Sequence, residues 1–132
     1  TLHTNDAPSA FTRLTDMGIE PFLIASSVEA VQAQRLVRTI CPHCKTEQKV
    51  DHDYLRRVGF PENEIETAKF WHGAGCEHCR QQGYQGRKGI YELLIVTETL
   101  RPLIMNRAPA TTIAQLAIQN GMRTLRTDGW TR

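Results

Sequence analysis

Two CxxC pairs, Cys41-Pro42-His43-Cys44 and Cys76-Glu77-His78-Cys79, constrain the fold of this chain more than any other feature. Each pair offers two thiolates from one tight turn, and two such turns brought together make a tetrahedral site for Zn²⁺. The stretch between them, residues 45 to 75, is longer than in the shortest zinc ribbons. Closing a loop of that length adds little cost, because closure entropy grows only with the logarithm of loop length. A structural zinc held by Cys41, Cys44, Cys76 and Cys79 is therefore the leading reading. Four cysteines complete the coordination shell, so His43 and His78, which could substitute as ligands, are read as exposed or outer groups. A closed tetrathiolate leaves no position for water, so the metal would hold a fold together and catalyse nothing.

Other uses of these cysteines are weaker. Two disulfides would suit a small secreted domain, but no stretch reads as a signal peptide, and a chain of this length can bury a core without them. A thiol oxidoreductase needs one reactive CxxC, and the second pair is surplus to that chemistry. The reduced cysteines favour a cytosolic setting.

With 132 residues, 40% hydrophobic and 23% charged, the chain suits one domain, or a small domain with pieces of another. No apolar run approaches the roughly eighteen residues of a membrane span. A formal charge of +2 does not by itself imply a nucleic-acid partner. The ends, Thr1-Leu2-His3-Thr4 without an initiator methionine and Arg132 soon after Asp128-Gly129, read as those of a piece cut from a longer chain. In such a piece Leu2, Phe11, Ile24 and the strand from Ile90 would lose apolar neighbours and invite association.

Thr4, Asn5 and Asp6 before Ala7-Pro8 suit a helix N-terminus, and Ala7, Ala10, Phe11, Leu14 and Met17 recur at helical spacing up to Gly18. Glu20-Pro21 opens a second expected helix through Ile24, Val28, Val31 and Leu36. In the unit from Cys41 to Gly89, Asp51 or Asp53 can cap a short helix carrying Leu55 and Val58 and ended by Gly59. Phe60-Pro61 begins another short helix through Ile65. Neither buries enough apolar surface to stand alone, so this unit needs a staple. Gly83, Gly86 and Gly89 punctuate an expected loop around Arg87 and Lys88. The run Ile90 to Val96 reads as a strand buried on both faces, interrupted by Glu92, which needs solvent or a partner. Thr97 to Met105 and Thr112 to Gln119 read as helices, with Pro102 tolerable only in a first turn and Asn120-Gly121 as a stop. A last helix starts after Met122.

Taken in order, the motifs resemble one family. Thr1-Leu2-His3-Thr4-Asn5-Asp6-Ala7 is similar to the histidine box of the secretion ATPases, which drive type II secretion and type IV pilus assembly. Thr12-Arg13-Leu14, Asp16 to Phe22 and Gln34-Arg35-Leu36-Val37-Arg38 resemble that family's next segment, and the two CxxC pairs its tetracysteine motif. Gly83 to Leu94 resembles the return into the ATPase core, and Gly121 to Leu125 with Asp128-Gly129-Trp130 the C-terminal helix. Residues 46 to 74 carry no matching motif. The likeness is strongest to the type II secretion ATPase called general secretory pathway protein E, with the pilus extension ATPase next. Retraction ATPases lack the tetracysteine insert.

The resemblance implies an α/β parent with a RecA-like P-loop NTPase core, of which this chain would be an α+β, mostly helical portion. Residues 1–40 would end the ATPase core, 41–89 form the tetracysteine zinc subdomain, and 90–132 supply the return strand and C-terminal helices. It also implies a nucleotide-sensing role for His3, near the γ-phosphate, against the plainer reading of a strand-end histidine with a structural hydrogen bond. No GxxxxGK[ST] loop exists in these residues, so ATP and Mg²⁺ are expected only in the parent, and the isolated piece is expected to be inactive. The implied setting is a hexamer in the cytoplasm at the bacterial inner membrane, reaching the membrane only through partners. The zinc knob would touch a platform protein, another apparatus subunit or a neighbouring protomer. Gln82-Gly83-Tyr84 and Arg87-Lys88 form the candidate contact.

A zinc-ribbon module for nucleic acid is the main alternative. Arg35, Arg38, Lys45 and Lys49 gather near one CxxC pair, and Arg80, Arg87 and Lys88 follow the other, with Tyr84 and Trp71 as rings. Asp51, Asp53, Glu62, Glu64 and Glu66 oppose it, and no nucleic-acid partner is expected. The three glutamates are not a catalytic pair but suit the start of a short helix.

Overall fold

Local chemistry sets the first turn of the chain. In the computed structural model, which describes residues 1–131, the Asp6 carboxylate accepts a hydrogen bond from the Ser9 amide at 2.9 Å and opens α1, Ser9–Asp16. Ala10 and Phe11 are buried, and Gly18, at φ +87°, takes the left-handed conformation that ends the helix. Pro21 then starts α2, Pro21–Ser27, which buries Ile24 and Ala25. The sequence predicts that this helix continues through Val31 and Leu36, but the chain turns extended at Val28 and enters β1, Ala30–Ile40. The Ser26 hydroxyl donates to the Leu23 carbonyl at 3.2 Å, and beyond it lie Val28, Val31, Val37 and Ile40, β-branched residues that favour a pleated surface.

The partner of β1 is β4, Tyr84–Ile95. The Cys41 amide donates to the Gly83 carbonyl at 3.0 Å at one end, and the Val96 amide to the Glu29 carbonyl at 2.9 Å at the other, so the strands run antiparallel. The expected loop over Gly83 to Gly89 is instead, from Tyr84, the first half of a strand, in which Gly86 adopts φ +81°. Nor is the second half of β4 buried on both faces. Ile90, Glu92 and Leu94 point inward, whereas Tyr91, Leu93 and Ile95 are exposed, the alternation of a sheet with one covered face.

By its contacts the chain divides into two units, Thr1–Arg35 with the chain from Gly89 onward, and Leu36–Lys88. In the first, Phe11, Ile24, Leu94, Leu100, Ile104 and Ile113 form one buried cluster. Phe11 and Ile24, expected to be left without neighbours, are therefore covered within the unit, while Leu2 is exposed. The cluster is completed by α4, Arg101–Met105, with Pro102 in its first turn, and α5, Ala110–Gln119, after which Gly121 adopts φ +95°. In α6, Leu125–Trp130, the Thr124 hydroxyl accepts from the Thr127 amide at 3.2 Å. The buried Glu92 carboxylate finds its partners at two helix starts, accepting from the amides of Ala7 at 2.8 Å and Leu125 at 3.1 Å.

The second unit has a far smaller apolar interior. β2, Lys45–Gln48, pairs antiparallel with β3, Phe70–Gly73, placing Glu47 opposite Trp71 and Gln48 opposite Phe70. Asp51, not Asp53, caps α3, His52–Arg57, by accepting from the Tyr54 amide at 2.9 Å. The segment after Pro61 makes only a 3-10 turn, Glu62–Glu64. Leu55, Phe60 and Ile65 are buried, and Phe60 meets Phe70 edge-on with centroids 5.4 Å apart.

Candidate metal centre

Two backbone turns place the thiols. Cys41 ends β1's extension, where its amide is tied to Gly83, and Cys44 follows in a turn closed by its amide on the Cys41 carbonyl at 3.3 Å. On the other side, Cys76 is extended and Glu77–Cys79 makes a 3-10 turn, closed by the Cys79 amide on the Cys76 carbonyl at 3.2 Å. Gly73 and Gly83, before and after the second pair, let its flanking segments approach, since a Cβ at Gly73 would overlap the Gly83 carbonyl.

The result is a single cluster in which the four Sγ atoms all lie within 4.8 Å of one another. Cys41 and Cys76 sulfurs are 3.9 Å apart, Cys44 and Cys79 3.8 Å, and Cys76 and Cys79 3.7 Å. A zinc–sulfur bond of about 2.3 Å in a tetrahedron sets sulfur–sulfur edges at roughly 3.8 Å, the spacing of these three pairs. A disulfide needs sulfurs at about 2.05 Å, and none of the four cysteines is so bonded.

Electrostatics favours a cation here. Burial first, reinforced by the thiols of Cys79, Cys76 and Cys41, pushes the Cys44 thiol up to about 12, against an opposing hydrogen bond from the Gly75 backbone. Burial also acts to raise Cys79, but the amides of Cys76 and Gly83, donating to its Sγ at 3.3 and 3.2 Å, and the thiols of Cys76 and Cys44 outweigh it and bring it down to about 6. Close thiols without a metal ionise one at a time, because like charges at this spacing repel. A divalent cation removes that conflict and replaces the protons.

His43 and His78 stand outside the sulfur cluster and stack on each other, with ring centroids 4.1 Å apart. Gln85, at the start of β4, was not singled out by sequence reasoning; its Oε1 lies 3.7 Å from Cys41 Sγ. Among the groups of the candidate contact, Tyr84 carries the Arg38 guanidinium over its ring at 4.0 Å, and Lys45 similarly covers Trp71 at 4.3 Å.

His3 lies in the other unit. It borders an open cavity of about 940 Å³, shared with Thr4, Asn5, Arg13, Asp16 and Arg35. No helix among the described residues is long and apolar enough to cross a membrane.

The match to known proteins covers the whole chain: residues 1–132 fit the model of the type II/IV secretion system protein family. The chain belongs to that family. It is 50% identical over 129 residues to the type IV pilus assembly ATPase PilB of Thermus thermophilus, covering 98% of this chain and 14% of that protein. It is 45% identical over 129 residues to the PilB of Pseudomonas aeruginosa, covering 98% of this chain and 23% of that protein. With the type II secretion system ATPase E of Vibrio cholerae the identity is 50% over 108 residues, 82% of this chain and 21% of that protein. The chain thus spans well under a third of the length of each of these relatives. A pilus ATPase and a type II secretion ATPase match at the same identity, so these comparisons carry the family and not the branch.

Proposed function

We propose that this chain is the metal-bearing portion of a hexameric secretion ATPase that powers pseudopilus or pilus assembly and protein export at the cytoplasmic side of the inner membrane. What supports this is the four-sulfur cluster, its atoms all within 4.8 Å of one another, inside a chain of the type II/IV secretion family. Cys41, Cys44, Cys76 and Cys79 would hold Zn²⁺, which supplies a closed structural crosslink. With four protein ligands no coordination position remains for substrate, so the centre is a fold-holding device rather than a reaction centre.

In this reading ATP and Mg²⁺ are bound by a RecA-like core with its own phosphate loop, as the ATPase names of the relatives suggest. His3 contributes at the nucleotide's γ-phosphate end, and residues 1–40 and 90–132 belong to that core. The zinc subdomain, residues 41–89, is a rigid knob that touches the platform protein or a neighbouring protomer. Its contact runs over Gln82-Gly83-Tyr84 and Arg87-Lys88, where Tyr84 and the Arg38 guanidinium give a flat cationic and aromatic surface.

The test is a protein of the relatives' full length carrying these residues, assayed for Mg²⁺-dependent ATP hydrolysis and for pilus or pseudopilus assembly. Cys76→Ser is expected to release the metal and abolish assembly. Full assembly by a metal-free Cys76→Ser protein would sink the role given to the knob.

A further inference from the structure

From the geometry around residues 3 to 9 we infer that Arg35 is a positioning residue that fixes the backbone carrying His3. The inference rests on the ATPase reading, because the role of His3 comes from it. Arg35 lies on β1, and its Nη2 donates to the carbonyls of Thr4 at 3.1 Å and Asn5 at 3.2 Å, with the Asn5 side-chain oxygen at 3.4 Å. One guanidinium nitrogen thus holds the two residues that follow His3, across about thirty residues of sequence.

The same segment is held from β4. Glu92 accepts from the Ala7 amide at 2.8 Å, and Asp6 is committed to the Ser9 amide at 2.9 Å. Carbonyls at 4 and 5 are therefore fixed by one strand and the amide at 7 by the other, and His3 is the next residue out, at the rim of the cavity that Arg35 also lines. The two anchors differ in kind. Glu92 is buried and builds the fold, whereas the Arg35 bonds are exposed and leave the core untouched. Loss of Arg35 should free the segment without unfolding the unit.

A group that acts on a transferring phosphoryl must be held within a fraction of an ångström, so loosening its backbone lowers turnover more than substrate binding. Lysine at position 35 keeps the charge and a donor nitrogen but on a shorter, flexible stem, and is expected to restore part of the effect.

The experiment compares Arg35→Ala and Arg35→Lys with the wild type in the full-length ATPase. It reads hydrogen exchange in the peptide spanning residues 3–9, exchange in residues 110–119 as a measure of the fold, and kcat and KM for Mg-ATP. Arg35→Ala should speed exchange over 3–9 and leave 110–119 unchanged, with kcat about tenfold lower and KM within about twofold. Arg35→Lys should fall between it and wild type in both exchange and kcat. Unchanged exchange over 3–9, unchanged kcat, or an effect confined to KM would each overturn the inference. A wild-type protein that hydrolyses no ATP would instead remove the ATPase reading, and the exchange comparison would still decide whether Arg35 holds the segment.

Discussion

The unit built from Thr1–Arg35 and the chain from Gly89 onward keeps Phe11, Ile24, Leu94, Leu100 and Ile113 at 2% exposure or less. The unit Leu36–Lys88 has Leu55, Phe60 and Ile65 as its larger buried apolar side chains, and its most buried residue is Cys41. The first has a contiguous cluster of the kind that stabilises by removing apolar area from water. The second has a fraction of that, spread over a two-stranded sheet, a short helix and a 3-10 turn, elements that are marginal in isolation. In the proposed reading, four thiolates on one ion would supply the stabilisation that scarce apolar burial does not, and loss of the ion should be felt there first.

The largest expected effect separates the two units directly. Chelation should collapse hydrogen-exchange protection over β2, β3 and α3 while α5 keeps its own, since structural zinc contributes on the order of 10 kcal/mol to folding. Equal loss in both units would break the comparison. The converse substitution is Leu94→Ala, in the core of the first unit, expected to cost about 2–5 kcal/mol and to leave metal content unchanged. Chemical denaturation with metal analysis checks it. Next in size is Glu92→Ala, which strands the amides of Ala7 and Leu125 and should cost about 1–3 kcal/mol in the same assay. Glu92→Gln keeps one acceptor oxygen and should be milder.

The smallest effect concerns acid. The Tyr54 amide is the main cause holding the Asp51 carboxyl below its usual 3.8, despite the opposing effect of burial. A depressed carboxylate contributes stability that is complete above the usual value and is lost as pH falls through the folded one. Asp51→Asn keeps the cap but not the charge, so it should flatten the acid limb of α3 unfolding below about pH 4, followed by NMR shifts of Tyr54.

How far the sequence was legible follows the same division. The cysteine cluster was readable because ligand spacing is a local signal, and the helix ends at Asp6, Asp51, Gly59 and Gly121 because capping is too. Strand pairing was not. Val31 and Leu36 fit a helical stripe as well as a pleated one, and only pairing with β4 decides between them. Gly83, Gly86 and Gly89 read as a loop for the same reason, since glycines in and beside a strand look like punctuation. Glu92 announced itself as a charge in an apolar run, but its two amide partners lie 85 and 33 residues away. Arg35 gave no local sign, because its acceptors are backbone carbonyls, which every residue possesses.

The most direct measurement is elemental analysis of protein purified without added zinc, combined with titration of native thiols before and after chelation. The account predicts about one zinc per chain and protected thiols that all become reactive once the metal is removed. Metal-free protein with freely reactive thiols and full exchange protection over residues 36–88 would contradict it.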